Sequence, residues 1–241
     1  MSYNFGNPLV HSLEKQQSRI AGNATVSING VVARTFNVFA VLGLAFSLTW
    51  IYAQQLTSPM LWFGAFAVAM GFGLFIAFKQ SCNPALIYGY AIAEGVILSL
   101  ISQYFEARYP GIIFQAVLGV AGCFLAVLFL YKTKIIQPTK NFMAFLSIGV
   151  VGIAFAYMVS IFGSFFGWRM PILHDSSPAG ILVSIVIVVI ASLTLVVDFK
   201  AINDASGKLD RKYEWFFAFS LMVSLVWMYV EILRLLAKLR D

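Results

Sequence analysis

The sequence predicts an all-α, polytopic integral membrane protein: a bundle of seven transmembrane helices. Three observations carry that prediction. Hydrophobic residues fill 61% of the 241 positions and charged residues only 11%, whereas soluble domains hold about 45–50% apolar and about 25% charged residues. The apolar residues fall in long uncharged runs. The polar segments between those runs are short. A soluble globule of this size cannot hide so much apolar surface, and a disordered chain needs the opposite composition.

A bilayer core about 30 Å thick takes roughly 20 apolar residues per helix. No charged residue occurs from Thr35 to Phe78. That run predicts two helices, Val32–Ala53 and Met60–Phe78, joined by a turn at Gln54–Pro59. The third run, Pro84–Phe105, is interrupted only by Glu94. Tyr109–Tyr131, Asn141–Trp168 and Ser176–Val197 are uncharged throughout and predict helices four to six. The last uncharged run, Trp215–Val230, is short for a span, so the seventh helix must continue through Glu231 to Leu236. Residues 1–30 are polar and contain no apolar core followed by a small-residue cleavage site. They are expected to form a cytoplasmic segment, with helix one as an uncleaved membrane-targeting signal. Residues 31–241 are expected to form one seven-helix transmembrane domain.

Lys and Arg set the orientation, since cytoplasmic loops hold them in excess. With the N-terminus inside, eleven of the 16 basic residues fall in cytoplasmic segments and five outside, three of those at the C-terminal end. The sequence thus predicts a cytoplasmic N-terminus and an external C-terminus, with only the basic tail Lys238–Arg240 opposing it. The basic residues lie in short groups between apolar runs. They suit anionic lipid at a membrane surface and not nucleic acid. Membrane lipid is the expected partner, with contacts to other membrane proteins as a further possibility.

Charged groups inside a bilayer cost about 2.5–3.5 kcal/mol each on insertion scales. They are retained where they face the bundle interior and have partners. Three acids qualify: Glu94, Asp198 and Glu231. Glu94 lies ten residues after Pro84, about 15 Å along the helix axis, and Gly95 beside it permits close helix approach. It is either a carboxyl bonded to a neighbouring helix or a proton or cation site. Asp198 closes the sixth apolar run next to Lys200. Glu231 has Arg234 three residues on, so an internal ion pair is geometrically easy.

Other candidates carry less. Cys82 and Cys123 make no disulfide framework or zinc pattern, and His11 and His174 lie in polar segments without a second ligand. Trp50, Tyr52, Trp62, Tyr104, Tyr109, Trp168 and Trp215 fall near span ends, as an aromatic belt would. Gly64, Gly71 and Gly73 have small-residue spacing for helix packing. Ser160–Ser164 lacks a histidine at membrane depth, and no GxGD sequence is present, so neither a serine nor an aspartyl membrane protease is expected. The reading is of a protein that is not an enzyme and holds no organic cofactor.

Several stretches carry a family resemblance. Ala191–Ile202 (ASLTLVVDFKAI), Glu214–Leu239 (EWFFAFSLMVSLVWMYVEILRLLAKL) and Asn83-Pro84 through Glu94-Gly95, Ser99 and Ser102 resemble the Bax inhibitor-1 family, in particular its bacterial YccA-like branch. The likeness runs from about Asn7 to the C-terminus. It implies a seven-helix bundle around a central last helix, in a bacterial inner membrane. In members regarded as channels, acids on helices six and seven form a proton-sensitive pair that controls calcium leak. By position those acids are Asp198 and Glu231, which would bind calcium if it is the transported ion. The second acid is Glu here where the channel-like members have Asp. The implied function is a pH-sensitive calcium or cation leak channel or transporter. A non-conducting regulator of other membrane proteins is the alternative. Spacing weighs against a direct pair. With Gly207 as the turn centre, the two acids would lie about 22 Å apart along an ideal hairpin.

Overall fold

A computed structural model describes residues 24–52, 59–167, 173 and 175–241. Seven helices appear among them: α1 Ile28–Tyr52, α2 Pro59–Lys79, α3 Pro84–Arg108, α4 Ile112–Lys132, α5 Lys140–Phe165, α6 Pro178–Ala205 and α7 Tyr213–Arg240. Six of them are long and apolar enough to cross a membrane. The described apolar part of α2, Phe63–Lys79, is shorter. The chain is thus an all-α polytopic membrane protein. The expected turn at Gln54–Pro59 falls mostly outside the described residues, as do residues 1–23, His11, His174 and Trp168.

Local sequence explains the helix starts. Asn83, Thr139 and Ser177 cap α3, α5 and α6 by accepting from Ala85 N, Phe142 N and Gly180 N. Each thereby satisfies a first-turn N–H that has no intrahelical partner. Pro84 and Pro178 occupy first-turn positions where a missing N–H costs nothing. Gly111 precedes α4 with φ +80°, a left-handed conformation that favours glycine.

The sixth helix departs from its expected end. It does not close at Val197 but runs through Asp198 to Ala205. The turn that follows, residues 206–212, is correspondingly short. It is pinned by the chain that enters α1: Gly207 N donates to Val26 O, Val26 N to Leu209 O, and Arg211 N to Ala24 O. This short antiparallel pairing places the start of α1 and the α6–α7 turn at the same end of the bundle.

The last helix is the hub. α7 packs against α1, α3, α4 and α6, α3 packs against α1 and α2, and α5 packs chiefly on α6. Buried Met222, Met228 and Leu233 line the inner face of α7. Close helix approach occurs where the sequence predicts it. A Cβ built on Gly95 would sit 2.5 Å from the Leu42 carbonyl oxygen of α1. The glycines of α2 divide. Gly73 abuts the Tyr90 ring, whereas Gly64 and Gly71 face open space, so the expected packing role holds for Gly73 alone. The aromatic belt also divides. Trp50, Tyr52 and Tyr104 are exposed at helix ends. Trp215 instead packs edge-on to Tyr88, its ring centroid 5.4 Å away, with the Arg34 guanidinium over its face.

Candidate functional site

The polar residues of α7 recur at Ser220, Ser224, Trp227, Glu231, Arg234 and Lys238. Steps of four and three residues keep them on one side of a helix. An apolar bundle can hold such a stripe only if each group meets a partner, and each of these groups does.

Asp198 meets the first part of the stripe. Its two carboxylate oxygens accept from Ser220 Oγ and Ser224 Oγ, each at 2.6 Å, and the residue is buried. The extension of α6 to Ala205 makes this possible. Asp198 stands seven residues before the end of α6, and Ser220 stands seven after the start of α7. The two helices therefore bring them level.

Glu231 meets the second part. It is 2% exposed and accepts from Tyr157 of α5 at 2.7 Å, from Trp227 Nε1 at 3.0 Å and from Arg234 at 3.3 Å. The expected ion pair with Arg234 is present. The guanidinium also lies over the Tyr157 ring, 4.7 Å from its centroid. Arg234 is itself 40% exposed, so water or headgroups screen the pair. Asp198 and Glu231 share no hydrogen bond. Glu231 lies seven residues beyond Ser224, about 10 Å along α7, and each acid is bonded within its own neighbourhood.

Glu94 stands between them. It is half-buried on α3, one turn from Tyr90. Two cavities meet at Tyr90, Glu94 and Val223. One, of about 570 Å³, lies among α2, α3 and α7 and reaches Ser220 and Ser224, the hydroxyls that hold Asp198. The other, of about 660 Å³, lies among α3, α5 and α7 and reaches Tyr157, Ser160, Trp227, Glu231 and Arg234. They follow successive parts of α7, toward its start and toward its end. Among the described residues no three His, Cys, Asp or Glu side chains converge. Calcium takes six to eight oxygens at about 2.3–2.6 Å, so any one acid here would need water and hydroxyl oxygens to complete a calcium shell.

The sequence reading overlooked Glu214. It is 1% exposed, yet it precedes the last uncharged run. Its Oε1 accepts from Ser27 N at 2.9 Å and Ser27 Oγ at 3.1 Å, and its Oε2 faces Arg34 at 3.1 Å and Arg211 at 3.7 Å. Arg34 also donates to the Arg211 carbonyl at 2.6 Å. A Cβ on Gly30 would lie 2.2 Å from Glu214 Oε1, so glycine is what admits the carboxylate against α1. This cluster fastens α1 to α7. Only Arg211, three residues before Glu214, is a local partner; Ser27, Gly30 and Arg34 come from the opposite end of the chain, so no local pattern marks the burial. The hydroxyls of Ser220 and Ser224 were missed too, although their spacing from Glu231 was visible.

The sequence matches none of the curated proteins. A family model described as Bax inhibitor 1 like matches residues 7–241. That match spans every described helix and all of the acids above, and on it the chain belongs to the Bax inhibitor 1 like family.

Proposed function

We propose that this protein is a bacterial inner-membrane cation leak channel or transporter of the YccA-like type, with calcium as the candidate ion and protons as the modulator. In this reading all seven helices span the membrane, the N-terminus is cytoplasmic and the C-terminus external. The observation that carries the proposal is the pair of cavities meeting at Glu94. One touches the hydroxyls that bind Asp198, and the other contains Glu231. A cation or proton moving along α7 would meet carboxylate and hydroxyl oxygens at each stage, and Glu94 would be the group common to both stages. Protonation of an acid removes a cation ligand, so pH and cation occupancy would oppose each other. The pair implied by the channel-like relatives is replaced by a series: Asp198, Glu94, Glu231.

The second reading, a non-conducting regulator acting through helix contacts, draws on α5. That helix packs mainly on α6 and presents Phe145, Ile148, Val151 and Phe155 outward. Purified protein in liposomes loaded with a calcium dye, scanned from mildly acidic to mildly alkaline pH, separates the two. Flux that requires the protein and varies with pH supports the channel. Absence of flux at every pH moves the assignment to the regulator.

A further inference from the structure

A third cavity, of about 600 Å³, is separate from the acid series. It lies between the first half of α1 and the last half of α4, floored by the end of α6 and by α7. Its size falls in the range of about 300–1,000 Å³ typical of small-molecule sites. α1 packs on α3 and α7, and α4 packs on α6 and α7, which leaves a slot between α1 and α4. Phe36, Phe39, Phe124 and Phe199 make its walls. Phe36 is 73% exposed on the outer lip, so the slot opens sideways, toward acyl chains in a spanning protein.

Apart from Thr35, whose hydroxyl donates to Val31 O of its own helix, the polar groups of this slot gather at one end. Tyr131, Lys132 and Asn203 lie there, at the C-terminal ends of α4 and α6. Neighbouring Lys200 is paired with Asp204. Lys132 is exposed, and no carboxylate lies within ion-pair distance of it among the described residues. Lys134, Lys140 and Lys208 sit at the same end of the bundle. An apolar slot open to lipid, capped by an unpaired cation on a basic end, is complementary to an amphiphile with an anionic head.

We propose that the α1–α4 slot is a binding site for one anionic phospholipid, with an acyl chain against Phe36, Phe39 and Phe124 and the headgroup phosphate at Lys132. Lys and Arg near an anionic surface contribute about 1 kcal/mol each, so losing Lys132 should weaken binding about fivefold. The site is independent of ion flux, and its test does not depend on the functional reading above.

The test uses the full chain in neutral detergent, read by native mass spectrometry and thermal unfolding. Phosphatidylglycerol, phosphatidylcholine with the same chains, and glycerol phosphate alone are titrated in turn. The expected result is one retained phosphatidylglycerol with saturable stabilisation, and weaker retention of phosphatidylcholine. Lys132→Gln should erase that preference, about fivefold, and leave the lipid-free melting temperature unchanged. Val32→Trp, which fills the slot from an exposed position, should release either lipid. Equal retention of both lipids, unaffected by Lys132→Gln, overturns the proposal. So does tight binding of glycerol phosphate alone, unchanged retention by Val32→Trp, or a lipid-free dimer that Val32→Trp dissociates.

Discussion

Gly95 sits where α3 crosses α1, and adding one methyl group there tests the helix packing that positions Glu94. In Gly95→Ala the new Cβ would meet the Leu42 carbonyl oxygen at 2.5 Å, the Ala45 Cβ at 2.9 Å and the Phe46 nitrogen at 3.2 Å. Two of those atoms are backbone, so no side chain can swing away. An ordinary carbon–oxygen contact is about 3.3 Å or longer, so α1 and α3 must separate by about 0.8 Å. A gap of that size forfeits a quarter to a half of each contact's attraction along the crossing. Overpacking of this kind costs about 1–3 kcal/mol. Alanine also gains about 1 kcal/mol of helix propensity over glycine, which masks part of the loss. Gly71→Ala removes that ambiguity, because its Cβ meets nothing within 4 Å. The difference between the two variants isolates the steric cost, about 1–3 kcal/mol, read as roughly 2–4 °C per kcal/mol in thermal unfolding. Equal melting temperatures for Gly95→Ala and Gly71→Ala would refute the close crossing of α1 and α3.

Four further outcomes follow from the same geometry. Ser220→Ala and Ser224→Ala should each cost about 1–3 kcal/mol by stranding a buried carboxyl oxygen of Asp198, measured by denaturant unfolding in detergent. Asp198→Asn and Glu231→Gln should have additive effects on stability, as sites more than about 10 Å apart do, and a double-mutant cycle with a large coupling energy would contradict their separation. Gln137→Cys and Lys208→Cys should resist an impermeant thiol reagent in intact cells while Ser176→Cys reacts, once Cys82 and Cys123 are replaced. Reversed labelling would invert the orientation. At the opposite end of the bundle, Tyr109 and Arg108 hold the Asp241 carboxylate below the usual carboxylate range. A depressed folded-state pKa adds stability above the unfolded value, about 3.9, and loses it as pH falls through the folded value. Hydrogen-exchange protection around Tyr109, corrected for the intrinsic slowing of exchange in acid, should therefore fall on acidification in the wild type, with a smaller acid-dependent change in Asp241→Asn.

The seven helices of the described residues were legible because uncharged runs of span length leave few alternatives, and the family was legible in the frames around Asp198 and Glu231. The end of α6 was not. The uncharged run Ser176–Val197 is already long enough to span, so nothing in the sequence asks for more helix, yet Ser220 and Ser224 satisfy Asp198 and let the helix run to Ala205. That longer helix is also why the about 22 Å offset expected between the two acids shrinks. The stripe Ser220, Ser224, Trp227, Glu231, Arg234 was open to view in its four-and-three spacing and could have been read as one polar face. The Glu214 cluster could not, since Ser27 and Arg34 stand far away in the chain and nothing local announces that Gly30 leaves room for a carboxylate. The two cavities that join at Glu94 arise from the packing of α2, α3, α5 and α7, which no single segment encodes.

The central claim is that Glu94 links the Asp198 and Glu231 neighbourhoods into one path. Calcium flux in dye-loaded liposomes, measured across pH for wild type and for Glu94→Gln, tests it most directly, with thermal unfolding as the control for folding. Glu94→Gln keeps the size and the hydrogen-bonding capacity of the side chain, so it should fold with a near-wild-type melting temperature. The account predicts that this folded variant loses both the flux and its pH dependence, while Asp198→Asn and Glu231→Gln each shift the pH dependence. A Glu94→Gln protein that folds normally and conducts with the wild-type pH profile would contradict it.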